Sequence, residues 1–124
     1  MLSQDGSDHG VVEVFETYQE KFRQKGIPML RIEHKSALRG GMNAYQALAV
    51  HYGWALQQIF DGKATAGTGR NVSPQRLLIL EEDLHVAPDF FGYFAALAPV
   101  LDQDSSLFAV SAFNDNGFQS RVRD

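Results

Sequence analysis

Leu77–Asp83, LLILEED, decides how the chain is read, together with its continuation Leu84–Phe94, LHVAPDFFGYF. Four bulky aliphatic residues run directly into three acids, and a proline-started helical pattern follows. A continuous apolar run of this length predicts a strand covered on both faces, as in a parallel sheet. Side chains alternate along a strand, so Glu81 and Asp83 are expected on one side and Glu82 on the other. Adjacent carboxylates at a strand end repel one another unless a cation sits among them. Hard oxygen ligands of this kind suit Mg²⁺ or Mn²⁺ bound together with substrate phosphates. The same acids also fit a solvated loop, or a set of charges favoured by the positive end of the helix near Pro88.

Working outward from that run, the pattern alternates. Met1–Ser3 reads as the end of a strand, followed by turn chemistry at Gln4-Asp5-Gly6-Ser7-Asp8. Val11, Val12, Val14, Phe15, Tyr18 and Phe22 recur at helical spacing and predict a helix from about Gly10 to Lys25, closed by Gly26. Ile27–Glu33 reads as a short strand with Pro28 at its start. His34–Gly41 is a polar loop whose Lys35 and Arg39 are either solvated or turned toward phosphates. Met42, Tyr45, Leu48, Ala49, Tyr52, Ala55, Leu56 and Ile59 predict a helix over Met42–Phe60. Lys63–Gln75 is a long loop. Its GTGR lacks the Gly-Lys-Ser/Thr ending of a phosphate loop and joins no strand to a helix. Asn71-Val72-Ser73 is an N-glycosylation pattern, meaningful only on a secreted or luminal surface. A helix is expected from about Pro88 to Leu101, with Phe90, Phe91, Phe94, Leu97 and Leu101 as its buried stripe. Leu107–Phe113 reads as a last strand, ending in Asn114-Asp115-Asn116-Gly117.

This alternation predicts an α/β fold with a mainly parallel sheet and flanking helices. Right-handed crossovers bring strand C-termini to one edge, where open α/β sheets bind ligands. Asp5, His34-Lys35, Glu81–Asp83 and Asn114–Asn116 all fall at such ends. A crevice of acids, amides and a few bases is what a metal–phosphate ligand needs.

Composition limits the alternatives. The 124 residues suffice for one core; 44% are hydrophobic and 21% charged, which argues against disorder. A net charge of -4 gives no general nucleic-acid or anionic-membrane surface. Cysteine is absent, which excludes disulfides and thiolate metal sites. No apolar run approaches the roughly 20 residues of a membrane span, and no signal peptide opens the chain. Met1-Leu2 begins as though inside a strand and Ser120–Asp124 stops without a closing element, so a piece of a longer chain is expected. A signalling receiver domain has similar size and architecture, but it needs a Lys after its last strand, and no Lys follows Lys63.

SQDG (Ser3–Gly6), HYGWALQQIF (His51–Phe60), EEDLHVAPDFFGYF (Glu81–Phe94) and SLFAVSAFNDNG (Ser106–Gly117) resemble, in order, core motifs of the N-acetylglucosaminyltransferase I family. These are protein β-1,2-N-acetylglucosaminyltransferases, glycosyltransferase family 13. The resemblance runs from Ser3 to Gly117. It implies a GT-A fold, with residues 1–124 forming part of the catalytic domain. It implies an inverting transfer of GlcNAc from UDP-GlcNAc to a mannose of a glycoprotein glycan, dependent on Mn²⁺, in the Golgi lumen. By that resemblance Asp5 matches the acid that contacts uracil, and His51 a histidine that contacts the uridine part of the donor. Glu82 would face the donor sugar, Asp83 would be the Mn²⁺ ligand, and Glu81 a neighbouring support. The N-acetylglucosaminyltransferase I pattern is Glu-Asp-Asp, whereas this chain has Glu-Glu-Asp, a form shared by the related O-mannose-directed enzymes. The catalytic base is expected downstream of Asp124, and the first donor-binding strand and a membrane anchor upstream of Met1. Residues 1–124 alone are therefore expected to have little or no transferase activity. An O-mannose-directed transferase and a non-catalytic GT-A-like binding remnant stand as alternatives.

Overall fold

The computed structural model describes residues 1–35, 41–65, 74–113 and 120. Arg39, the GTGR and Asn71-Val72-Ser73 segments and Asn114–Gly117 lie outside the described residues. The chain divides into two units, Met1–Leu78 and Ile79–Asp124. The elements are β1 (Leu2–Asp5), α1 (His9–Gln24), β2 (Arg31–His34), α2 (Ala44–Phe60), a single 3-10 turn (Lys63–Thr65) and α3 (Phe90–Gln103). The α/β expectation holds at this level: three α-helices accompany a two-stranded parallel sheet. No described helix is long and apolar enough to cross a membrane.

In the first unit, β1 and β2 pair in parallel with Leu2 opposite Arg31 and Asp5 opposite His34. A parallel pair needs a crossover, and α1 supplies it. Asp8 caps α1, its Oδ1 accepting from the Val11 N–H at 3.1 Å. Gly26, at φ +70°, turns the chain out of the helix in a conformation that favours glycine. Phe15 is the buried residue of α1. On the exposed C-terminal half, the Arg23 guanidinium 2.7 Å from Glu20 holds that carboxyl down to about 2.

Gln4 is a buried polar residue at 5% exposure, and both polar atoms of its amide are hydrogen-bonded. Its Oε1 accepts from Arg31 Nη1 at 2.7 Å and its Nε2 donates to the Asp8 carbonyl at 3.0 Å. Arg31 also donates to Glu33 Oε2 at 3.1 Å. Period-2 alternation puts this network on the face of the sheet opposite Asp5 and His34.

Helix α2 opens on a reciprocal cap: Gln46 N donates to Asn43 Oδ1 and Asn43 N donates to Gln46 Oε1, each at 2.9 Å. Only its C-terminal half packs. Ala55 and Ile59 are buried, whereas Tyr45, expected in the apolar stripe, is 84% exposed.

Two expected strands are absent among the described residues. Residues 74–80 are irregular, Glu82-Asp83 form a turn, and residues 107–113 are irregular. A strand exists only with a neighbour to share its N–H and C=O groups. No described segment pairs with either run. Leu77–Leu80 accordingly remain 36–51% exposed. The apolar run therefore reports a preference for burial, not a ladder. Helix α3 starts two residues later than expected, leaving Pro88 outside it. Phe90, Phe94, Leu97 and Leu101 are half-buried, but Phe91 is exposed, one residue round the helix from Phe90. Pro99 sits inside α3 and can offer no N–H to the turn before it. Tyr93 Oη donates to the Ser111 carbonyl at 2.8 Å and ties the helix to the last described segment.

Asn43→Ala removes the side-chain acceptor of the α2 cap, leaving the Gln46 N–H without its Oδ1 partner, and is expected to destabilise the chain by about 1 kcal/mol, read from the shift in urea midpoint.

Candidate functional site

The best-defined polar cluster lies at the C-terminal end of the two strands. Parallel register sets Asp5 beside His34, the last residues of β1 and β2. The ladder is closed past its end by Gly6, whose N–H donates to the His34 carbonyl at 2.9 Å. Gly6 has φ +78°, so the chain turns away immediately after Asp5 in a conformation costly for any residue with a Cβ. From α2 come His51 and Trp54, three residues apart and therefore on one helix face.

These side chains converge. Asp5 Oδ1 lies 3.3 Å from His34 Nδ1 and 3.8 Å from His51 Nδ1. Ser3, two residues before Asp5 on the same strand face, places Oγ 3.1 Å from His51 Nε2. His34 stacks on Trp54 with centroids 4.6 Å apart and planes inclined by 16°. His51 flanks the same indole at 5.9 Å. The imidazole side chains are 16% and 13% exposed, while Asp5 keeps 37% and opens the cluster to solvent. Both Nδ1 atoms are buried and neither forms a hydrogen bond. Each therefore faces the Asp5 carboxylate without an aligned N–H···O contact. The cluster is thus left with unused polar capacity facing a carboxylate, a state that a bound group relieves.

The expected site residues fall into two sets. Asp5 and His51 are brought together in the first unit. Glu82 and Asp83 belong to the second unit, in an exposed turn in which Leu84 N approaches the Glu81 carbonyl at 3.4 Å. Neither the Glu82 nor the Asp83 carboxylate is engaged by a hydrogen bond or ion pair among the described residues. His34 was legible only as a polar strand end. Its place beside Asp5 follows from parallel register, which no single segment carries. Ser3 and Trp54 had a local signal: i, i+2 on the strand from Asp5 and i, i+3 on the helix from His51.

An Asp between two half-buried imidazoles beside an indole thus stands at the carboxyl edge of a parallel βαβ unit, the edge at which open α/β sheets bind their ligands. The chain belongs to the GNT-I family, whose model matches residues 1–124. It is 35% identical over 123 residues to an alpha-1,3-mannosyl-glycoprotein 2-beta-N-acetylglucosaminyltransferase from Arabidopsis thaliana. That match covers 99% of this chain and 25% of the relative, so the chain spans about a quarter of the relative's length. No solved structure matches the chain.

Gly6→Ala places a Cβ on a left-handed residue and is expected to cost about 1–2 kcal/mol, measured by equilibrium unfolding. Loosening of the strand end is expected to change the fluorescence of Trp54, the chain's single tryptophan.

Proposed function

We propose that the chain forms the donor-binding part of a GT-A-fold glycosyltransferase that transfers GlcNAc in β-1,2 linkage from UDP-GlcNAc to a mannose of a glycoprotein glycan. Family membership across residues 1–124 supports the reaction class. The observation that carries the reading is the convergence of Asp5 and His51, 46 positions apart in sequence, on one strand-end cluster at 3.8 Å.

Asp5 and His51 hold the nucleoside and so aim the attached sugar. Fixing one end of the donor removes rotational freedom that the reaction would otherwise have to lose. Asp83 holds Mn²⁺ and Glu82 faces the donor sugar. The donor chemistry fits: Glu82 and Asp83 offer exposed, unengaged carboxylate oxygens, the hard ligands that manganese takes beside phosphates. When bound, the ion supplies Lewis-acid stabilisation of the negative charge on the departing UDP. The natural setting of this reading is the Golgi lumen, where a protein-linked glycan is the acceptor.

Calorimetric titration of the chain with UDP-GlcNAc tests the proposal. Binding is expected with Mn²⁺ and is expected to be lost on chelation. Asp83→Ala is expected to remove the metal dependence. Unchanged Mn²⁺-dependent binding in Asp83→Ala would contradict the metal assignment. Unchanged binding in Asp5→Asn would contradict the nucleoside assignment.

A further inference from the structure

We infer that Asp5, His34 and His51 form a binding site for a divalent transition ion of the zinc type, separate from the carboxylates at Glu81–Asp83. One carboxylate oxygen and two imidazole nitrogens lie within 4.8 Å of one another. Metal bonds of about 2.0–2.1 Å at a near-tetrahedral angle hold ligand atoms about 3.3 Å apart. Asp5 Oδ1 is 3.3 Å from His34 Nδ1 and 3.8 Å from His51 Nδ1, so the carboxylate already stands near ligand spacing to each imidazole, and the two rings, with centroids 5.6 Å apart, draw together as the ion binds.

The hydrogen bonding points the same way. A metal-binding histidine ordinarily donates its other ring N–H to a nearby oxygen, which fixes the tautomer. Ser3 Oγ sits 3.1 Å from His51 Nε2 and can accept that N–H. His51 Nδ1 then presents a lone pair toward the Asp5 carboxylate. Two negative lobes facing each other in a buried place are unfavourable unless a cation lies between them. His34 Nδ1 is equally buried and makes no hydrogen bond. Its ring is held against Trp54, which limits the ways it could turn aside. Asp5, the most exposed of the three, gives the ion its approach from solvent. Two nitrogens and one oxygen suit zinc, cobalt or nickel better than the manganese favoured by an all-carboxylate set.

This inference goes beyond the donor reading. Because Asp5 and His51 are the proposed nucleoside contacts, zinc and nucleotide become alternative occupants of one cluster.

The test is titration of the full chain with Zn²⁺, then Co²⁺, in the absence of any nucleotide, so that its result is independent of the donor reading. Trp54 emission and Co²⁺ d–d absorption report binding, because the indole stacks on His34. One equivalent of Zn²⁺ is expected to bind and to displace Co²⁺. Loss of a supporting hydrogen bond to a ligand costs about 10–100-fold in metal affinity. Ser3→Ala is expected to fall in that range, and the near-isosteric Asp5→Asn and His51→Gln to exceed it. Asp83→Asn is expected to leave zinc affinity unchanged. Thermal unfolding of each variant establishes that it is folded; Ser3→Ala, which removes one hydroxyl, keeps the test decisive if a larger change unfolds the chain. Failure to bind zinc, equal affinity in Ser3→Ala and the parent, or loss of zinc in Asp83→Asn would each overturn the inference.

Discussion

The register between β1 and β2 is the constraint on which the candidate site depends. Asp5 and His34 are 29 positions apart, and they meet only because parallel pairing sets Leu2 against Arg31 and carries that offset to the strand ends. A slip of one residue would send every side chain on the slipped strand to the opposite face. His34 would then leave Trp54, and its place opposite Asp5 would be lost. On the other face the Arg31–Gln4 hydrogen bond crosses the strands and opposes such a slip, which would carry Arg31 away from Gln4. The Gly6 N–H to His34 carbonyl bond extends the ladder to the point where the chain must turn. Sequence thus acts twice at Asp5: as the last residue of a strand and as the neighbour of a glycine that can leave it sharply.

The helix α2 completes the cluster by a different rule. His51 and Trp54 share a helix face, and the face they share is continuous with buried Ala55. Burial of that half of the helix therefore also carries the imidazole and indole to the strand ends. In the N-terminal half the large apolar residues Tyr45, Leu48 and Val50 remain exposed. Positioning of the site and formation of the small core are consequences of the same packing event. The hydrophobic effect supplies the drive, and the polar atoms take the geometry it leaves them.

Local elements were more legible in the sequence than their pairing. The helices were readable because apolar residues recurring at three- and four-residue steps are a local signal, reinforced in α1 by the turn residues before it and Gly26 after it, and they are correct here to within two residues at each end. Asp5 and His51 were singled out by the motifs that carry them, and the structure brings the two side chains together. His34 was not assigned a role, because its significance arises from a partner strand. Leu77–Leu80 misled for the mirror-image reason. The run has the composition of a central strand, but a ladder requires a neighbour, and among the described residues it has none. Leu107–Phe113 shares that history. Leu77–Leu80, Leu107 and Phe108 stay exposed, so composition fixed the tendency to be covered without fixing by what.

The central claim is that residues 5, 34, 51 and 54 form one packed cluster. Nuclear Overhauser spectroscopy of the aromatic protons tests it most directly, since the single indole makes assignment unambiguous. The account predicts cross-peaks from the His34 ring to the Trp54 indole, whose centroids lie 4.6 Å apart, and from the same indole to His51. A His34 ring that shows contacts only to its sequence neighbours would contradict the strand register, and with it the cluster.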